Sequence, residues 1–235
     1  MYRQSLFLAC ALYSFACSRP PSPEAEPGVS RPASPEHSPP DEQRASAGQA
    51  TETLQARVGE PAPEFSLPDL DGRRVALSTS RGKTVVLEWF NPECPFVNKA
   101  HTVGSLVDTA ARQEQRGVVW LAVNSSAPDR QGHGVEKNRE ARARLGLRHP
   151  VLLDESGDVG RRYGARTTPH MYVIDASGVL VYQGAIDNSP DAEGESPTDG
   201  RLVNYVDAAL AALDAGRPVA APNTEPYGCS VKYSD

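Results

Sequence analysis

The chain has 235 residues, 39% apolar and 23% charged, enough for one ordinary domain with chain to spare and too little for two sizeable ones. Its 24 Lys and Arg against 30 Asp and Glu give a net charge of -6, which lacks the basic excess needed to hold a phosphate backbone, so no nucleic-acid partner is expected. The four cysteines, Cys10, Cys17, Cys94 and Cys229, are too few for a disulfide scaffold and lack the paired clusters of a structural zinc site.

Residues 1–16 read as an export signal. One positive charge precedes the mostly apolar run Ser5 to Ala16, which is too short to cross a bilayer that needs ~20 residues. The run ends at Ser14-Phe15-Ala16-Cys17, which resembles a bacterial lipobox. That resemblance implies a lipid on Cys17 and a membrane anchor facing the periplasm or the cell exterior. Export places the remaining thiols in an oxidising compartment. Residues 17–55 carry eight prolines between Pro20 and Pro40 and no aromatic side chain, so they cannot build a core and read as a disordered tether.

The remaining segment, 56–235, reads as one compact domain ending in a tail, 217–235. Phe65 to Leu67 and Val75 to Leu77 are short strands around the turn Asp71-Gly72, and Thr84 to Phe90 is a nearly continuous apolar run suited to a strand covered on both faces. A helix follows from Pro95 to Gln115, then a buried strand from Val118 to Val123 and a polar loop from Asn124 to Gly134. A basic helix near Glu136 to Leu145, a strand from Val151 to Leu153 and a helical turn at Val159 to Tyr163 come next. Strands Met171 to Ile174 and Leu180 to Gln183 form a hairpin through Ala176-Ser177-Gly178, and a loop from Asp187 to Gly200 leads to an amphipathic helix, Leu202 to Leu213. This alternation implies an α/β fold with a mixed, mostly parallel central sheet and helices on both faces.

Cys94 lies between the strand ending at Phe90 and the helix beginning at Pro95. Unpaired backbone N–H groups and the positive helix end favour a thiolate there, and a proline in the first turn fits the helix start. The alternative is an inert buried cysteine. Lys99 and His101 either support that thiolate or sit on a solvated helix face. Glu88 is either a buried proton acceptor or a strand-end carboxylate reaching water. Trp89 and Trp120 read as core, and Asn124-Ser125-Ser126 either borders a pocket or caps a loop.

Val58-Gly59, Ala62-Pro63-Glu64-Phe65, Leu67, Asp69, Gly72, Leu77 and Arg81-Gly82-Lys83 resemble the opening of the alkyl hydroperoxide reductase/thiol-specific antioxidant family, a peroxiredoxin-like branch of the thioredoxin fold. NPECPF (Asn91 to Phe96) lies where thioredoxins carry C-x-x-C and peroxiredoxins carry T-x-x-C-P. TTPHMYVID (Thr167 to Asp175) is similar to the segment whose cis-proline, here Pro169, faces the reactive cysteine. YGCSVKY (Tyr227 to Tyr233) resembles the C-terminal signature of a peroxiredoxin-like group. The resemblance implies a thiol-dependent oxidoreductase in which Cys94 attacks a peroxide or a disulfide, Cys229 resolves the product and a thiol donor restores the enzyme. Neither cofactor nor resident metal is expected.

Two positions depart from the family. Asn91 replaces the first cysteine of a local dithiol and the Thr or Ser of peroxiredoxins, and Pro169 stands where those enzymes place an arginine. Arg166 either substitutes for that guanidinium or is an ordinary surface arginine. His170, next to the expected cis-proline, is a base, a hydrogen-bond partner or a metal ligand for the thiol, or a satisfied structural histidine. Cys94, Cys229 and His170 could instead hold copper in a copper-handling protein; a non-catalytic tethered binding module is the third class. The tail is expected to pack back and bring Cys229 towards Cys94.

Overall fold

The computed structural model describes residues 55–235. The expectations for residues 1–16, the lipidation of Cys17 and nearly all of the tether lie outside the described residues. Order is established at once: the Ala56 N–H donates to the Arg162 carbonyl at 2.8 Å.

The run TVVLEWF folds as the centre of the sheet. β3 (Val85–Trp89) is buried at all five positions, the exposure pattern that a strand flanked on both sides demands. β4 (Val119–Asn124) and β5 (Val151–Leu153) extend the sheet in parallel on one side; β7 (His170–Ile174) and β8 (Leu180–Gly184) extend it antiparallel on the other, giving the order β5-β4-β3-β7-β8. Two pairings are parallel and two antiparallel, so the sheet is mixed but not mostly parallel. β1 (Ser66–Pro68) and β2 (Arg74–Ala76) form a separate antiparallel pair. The fold is thioredoxin-like.

Side-chain alternation divides the core. Val85, Leu87 and Trp89 pack with Phe65, Leu67, Tyr163 of α4 (Asp158–Tyr163) and Tyr172 on one face. Val86 and Trp120 face the other way, against Ala100 of α1 (Pro95–Thr102), Ala110 of α2 (Thr109–Gln115) and Val206 and Leu210 of α5 (Tyr205–Asp214). α3 (Val135–Arg144) contributes Ala141 to a third cluster containing Phe90, Cys94 and Val97.

The helix expected over Pro95 to Gln115 is two helices. The break falls around Gly104, where an added Cβ would stand 2.0 Å from the Ala192 carbonyl oxygen, so the chain there must pass hard against the 187–200 loop. Asp108, with φ 57°, sets the new direction of α2. Sequence periodicity could not show this, because the constraint comes from a loop distant in the chain. The tail, lacking any periodicity, is nevertheless bonded to the domain from Pro222 onward: Pro222 and Thr224 to Gln183 of β8, and β9 (Cys229–Ser230) to β6 (Thr167–Thr168) in antiparallel register.

Candidate active site

Cys94 is the N-cap residue of α1, directly before Pro95, and has no exposed surface. Its position is fixed from three sides. The loop NPEC closes as a turn in which the Cys94 N–H donates to the Asn91 carbonyl at 3.1 Å, while Asn98 Nδ2 donates to the Cys94 carbonyl at 2.9 Å. The thiol donates to the Thr168 carbonyl at 3.0 Å, and the Thr168–Pro169 peptide bond is cis. Cys229 stands opposite Thr168 in the β6–β9 register and packs against the Cys94 cluster. Cys94, Thr168, Pro169 and Cys229 therefore meet in one place, and both cysteines are free thiols. Burial, and then the neighbouring Cys94 thiol, push the Cys229 pKa up to about 11, so Cys229 is a protonated thiol at neutral pH.

Asn91 does not turn its side chain to the thiol. Its Oδ1 accepts the Glu93 N–H at 2.9 Å and its Nδ2 donates to the Gln131 carbonyl at 3.1 Å, which ties the reactive turn to the 124–134 loop. Gly132 makes this approach possible: with φ 84° and an added Cβ 2.4 Å from the Asn91 side chain, only glycine fits. Glu93 reinforces the junction by accepting from Lys137 at 3.0 Å, and that bond, with the Gly132 N–H, holds its carboxyl below the usual range. Asn124-Ser125-Ser126 is a buried bonding network and not a pocket rim. Asn124 donates to Gly132 and to Asn138, and Ser125 links the Trp89 indole N–H to Asp154.

His170 and Arg166 belong to another neighbourhood. The His170 ring stacks 4.6 Å from that of Tyr172, and its Nδ1 accepts the Arg166 backbone N–H at 3.4 Å, on the face of β7 that carries Tyr172. Burial, reinforced by Arg166, lowers its pKa to about 3, so it is neutral. The Arg166 guanidinium pairs with Glu225 at 3.0 Å in the open. Both line a groove of about 470 Å³ together with Gln183, Asn223 and Thr224. The alternative in which His170 serves Cys94 as base or ligand finds no bond to carry it, because the ring is engaged by Arg166 and Tyr172. Among the described residues no group of three or more His, Cys, Asp or Glu side chains is arranged to hold a metal ion.

Of the alternatives for Glu88 and His101, the solvated ones are excluded: both side chains are buried and paired at 2.8 Å beneath α1, with the Trp120 indole N–H donating to the second carboxylate oxygen at 3.2 Å. Burial pushes the Glu88 pKa up, but His101, then His149 and Trp120, outweigh it and leave the carboxyl below its ordinary value. The residues missed entirely are His149, buried beside this pair with neither ring nitrogen bonded, and Thr168, whose carbonyl holds the thiol. His149 follows a helix in an unremarkable basic stretch, and a backbone carbonyl leaves no signature in a sequence.

Residues 57–200 match the Redoxin family. The thiol-disulfide oxidoreductase ResA of Geobacillus thermodenitrificans (strain NG80-2) is 34% identical over 135 residues, covering 54% of this chain and 69% of that protein. The methylamine utilization protein MauD of Paracoccus versutus is 30% identical over 127 residues, 54% of this chain and 58% of the relative. Two solved structures share the fold at a TM-score of 0.65. An uncharacterized conserved protein from Geobacillus kaustophilus, 31% identical, covers 76% of this chain and 93% of its own; a hypothetical protein from Sinorhizobium meliloti 1021, 25% identical, covers 77% and 96%. The chain belongs to the Redoxin family.

Proposed function

We propose that this protein is an exported, lipid-anchored thiol-disulfide oxidoreductase in which Cys94 is the attacking thiolate and Cys229 the resolving cysteine. The observation that carries the reading is the meeting of Cys94, at the start of α1, with Thr168-Pro169 and with Cys229 on the strand paired to Thr168. Cys94, after giving the proton it directs at the Thr168 carbonyl to solvent, attacks as a thiolate one sulfur of a substrate disulfide, forming a mixed disulfide and expelling the other sulfur as a thiolate, which takes a proton from solvent. Cys229, after losing its proton to water, attacks the Cys94 sulfur, releases the second substrate thiol and leaves a Cys94–Cys229 disulfide. A thiol donor returns the pair to the reduced state by the same exchange in reverse. The likeness to ResA supports this class of reaction.

Disulfides are favoured over peroxides. A peroxidatic site of the kind the sequence resembles would need a hydroxyl at position 91 and a guanidinium beside the thiol; here the Asn91 amide binds the neighbouring loop and Arg166 pairs with Glu225. The test is reduction of a disulfide-containing protein by the full chain with dithiothreitol as donor, beside consumption of hydrogen peroxide. We expect disulfide reduction that Cys94→Ser abolishes, and a trapped mixed disulfide at Cys94 in Cys229→Ser. Peroxide consumption without disulfide reduction would replace this reading by the antioxidant one. Labelling of residue 17 with a palmitate analogue in cells checks the anchor.

A further inference from the structure

The groove of about 470 Å³ that His170 and Arg166 line takes no part in the proposed thiol chemistry, and its volume falls within the ~300–1,000 Å³ of small-molecule sites. One buried side chain on its wall holds a hydrogen-bond donor that nothing meets. We propose that the groove binds a small peptide-like carboxylate. His170 Nε2–H and the Arg166 guanidinium hold the carboxylate, and Gln183 and Asn223 pair with a neighbouring amide.

The donor follows from the surroundings of the ring, which is 5% exposed. His170 Nδ1 accepts the Arg166 backbone N–H, and among the described residues that N–H has no other acceptor. A ring nitrogen that accepts carries no proton, so the neutral imidazole keeps its proton on Nε2. Burial, then the Arg166 charge, lowers the pKa to about 3 and keeps the ring neutral. Nε2 has no hydrogen-bond partner among the described residues, yet it is not enclosed as both nitrogens of His149 are. Because the ring lines the groove, this N–H opens onto it. The stacked Tyr172 ring, whose hydroxyl stands 3.1 Å from Nδ1, fixes its direction. A buried donor left unmet costs the free protein stability that an incoming acceptor restores.

The other groups on the wall define the ligand. Arg166 and Glu225 pair at 3.0 Å with side chains 62% and 81% exposed, so the pair is weak and the guanidinium can exchange Glu225 for a ligand carboxylate. A guanidinium takes a carboxylate through two parallel N–H bonds, and His170 adds a further donor beside it. Both groups only donate, which selects an anion over a cation. Gln183 Nε2 donates to Asn223 Oδ1 at 2.9 Å, leaving the Gln183 carbonyl oxygen and the Asn223 amino group free. One acceptor beside one donor is the pattern that a peptide bond completes. The frame is fixed in advance: Gln183 N–H donates to the Pro222 carbonyl at 2.9 Å and Thr224 N–H to the Gln183 carbonyl at 3.1 Å, so little ordering opposes binding.

The test is calorimetric titration of the full chain at neutral pH with N-acetylglycylglycine, which has a carboxylate and two amides but no ammonium group. Its C-terminal amide, and acetate, serve as comparisons. We expect the acid to bind roughly tenfold or more tightly than either, the amide lacking the charge and acetate lacking the peptide bond. Arg166→Gln should weaken binding of the acid by a similar factor. Glu225→Gln, which removes the competing carboxylate, should strengthen it several-fold, a gain that general disruption of the fold does not produce. Both substitutions are at exposed side chains, so the fold should persist. In the native protein the acid should also shift the ¹⁵N resonance of His170 Nε2. No binding at up to ~10 mM overturns the site. Equal affinity for the acid and its amide overturns the carboxylate. An unmoved Nε2 resonance, or binding that Arg166→Gln leaves unchanged or Glu225→Gln weakens, overturns the assignment to this groove.

Discussion

His149 should make this fold acid-sensitive, and replacing it should remove a calculable part of that sensitivity. The imidazole is buried with both nitrogens unbonded, its ring 6.1 Å from that of Trp120. Burial lowers its pKa to about 4; Glu88 pulls the other way without overcoming it. The unfolded chain holds the same group near 6.5, so below that pH the unfolded state binds the extra proton. Stability therefore falls as the pH drops from about 6.5 to about 4 and is level below that. At about 1.4 kcal/mol per pKa unit the full loss is about 3 kcal/mol, of which about 2 kcal/mol is gone by pH 5. His149→Phe keeps an aromatic ring beside Trp120, removes two unbonded nitrogens and cannot titrate. Urea unfolding at pH 7.5 and pH 5 should show the variant at least as stable as the native protein at the higher pH. Its loss on acidification should be smaller by about 2 kcal/mol. Equal losses in the two proteins would refute the reasoning, because they would mean that the buried ring is protonated in the fold without penalty.

Other perturbations separate structure from chemistry. His170, neutral with a pKa of about 3, adds its own loss of stability below pH 6.5, so His170→Phe should also flatten the acid limb while leaving disulfide reduction intact; loss of activity at full stability would restore His170 to the site. His101→Ala strands the Glu88 carboxylate beneath α1 and should cost about 3 to 5 kcal/mol by urea unfolding, whereas Glu88→Gln, which keeps an acceptor for Trp120, should cost less. Gly132→Ala drives a methyl group into the Asn91 amide and should lower disulfide reduction by displacing the reactive turn, with little change in the far-ultraviolet spectrum.

Strands β1 to β5, β7 and β8 were legible in the sequence as short runs bounded by turn residues, with observed bounds close to the expected ones, whereas the two-residue strands β6 and β9 carry no such signal. Cys94 was legible for the same reason, since NPECP marks a strand-to-helix junction with a thiol at the cap. Polar burial was not. Glu88 interrupts an apolar strand, and by residue type alone a carboxylate belongs in water; only the tertiary arrangement of His101 on α1 and Trp120 on β4 supplies its partners. His101 was lost with it, because a partner inside the core looks in sequence like any polar helix residue. Both alternatives for His170 stayed open in the sequence because proximity to Pro169 in the chain does not tell which neighbours a side chain bonds; the structure gives it Arg166 and Tyr172.

In the proposed chemistry, Asn91 explains why the second sulfur comes from so far along the chain. Where a thioredoxin keeps both cysteines in one turn, here the first position is an amide that bonds the turn itself and the 124–134 loop, so the turn has rigidity but no second thiol. A distant cysteine can compete with external thiols only if something holds it at high effective concentration, and the strand pairing of β9 with β6 does that work. In the proposed chemistry a Cys94–Cys229 bond would shield Cys94 from further oxidation until a thiol donor opens it.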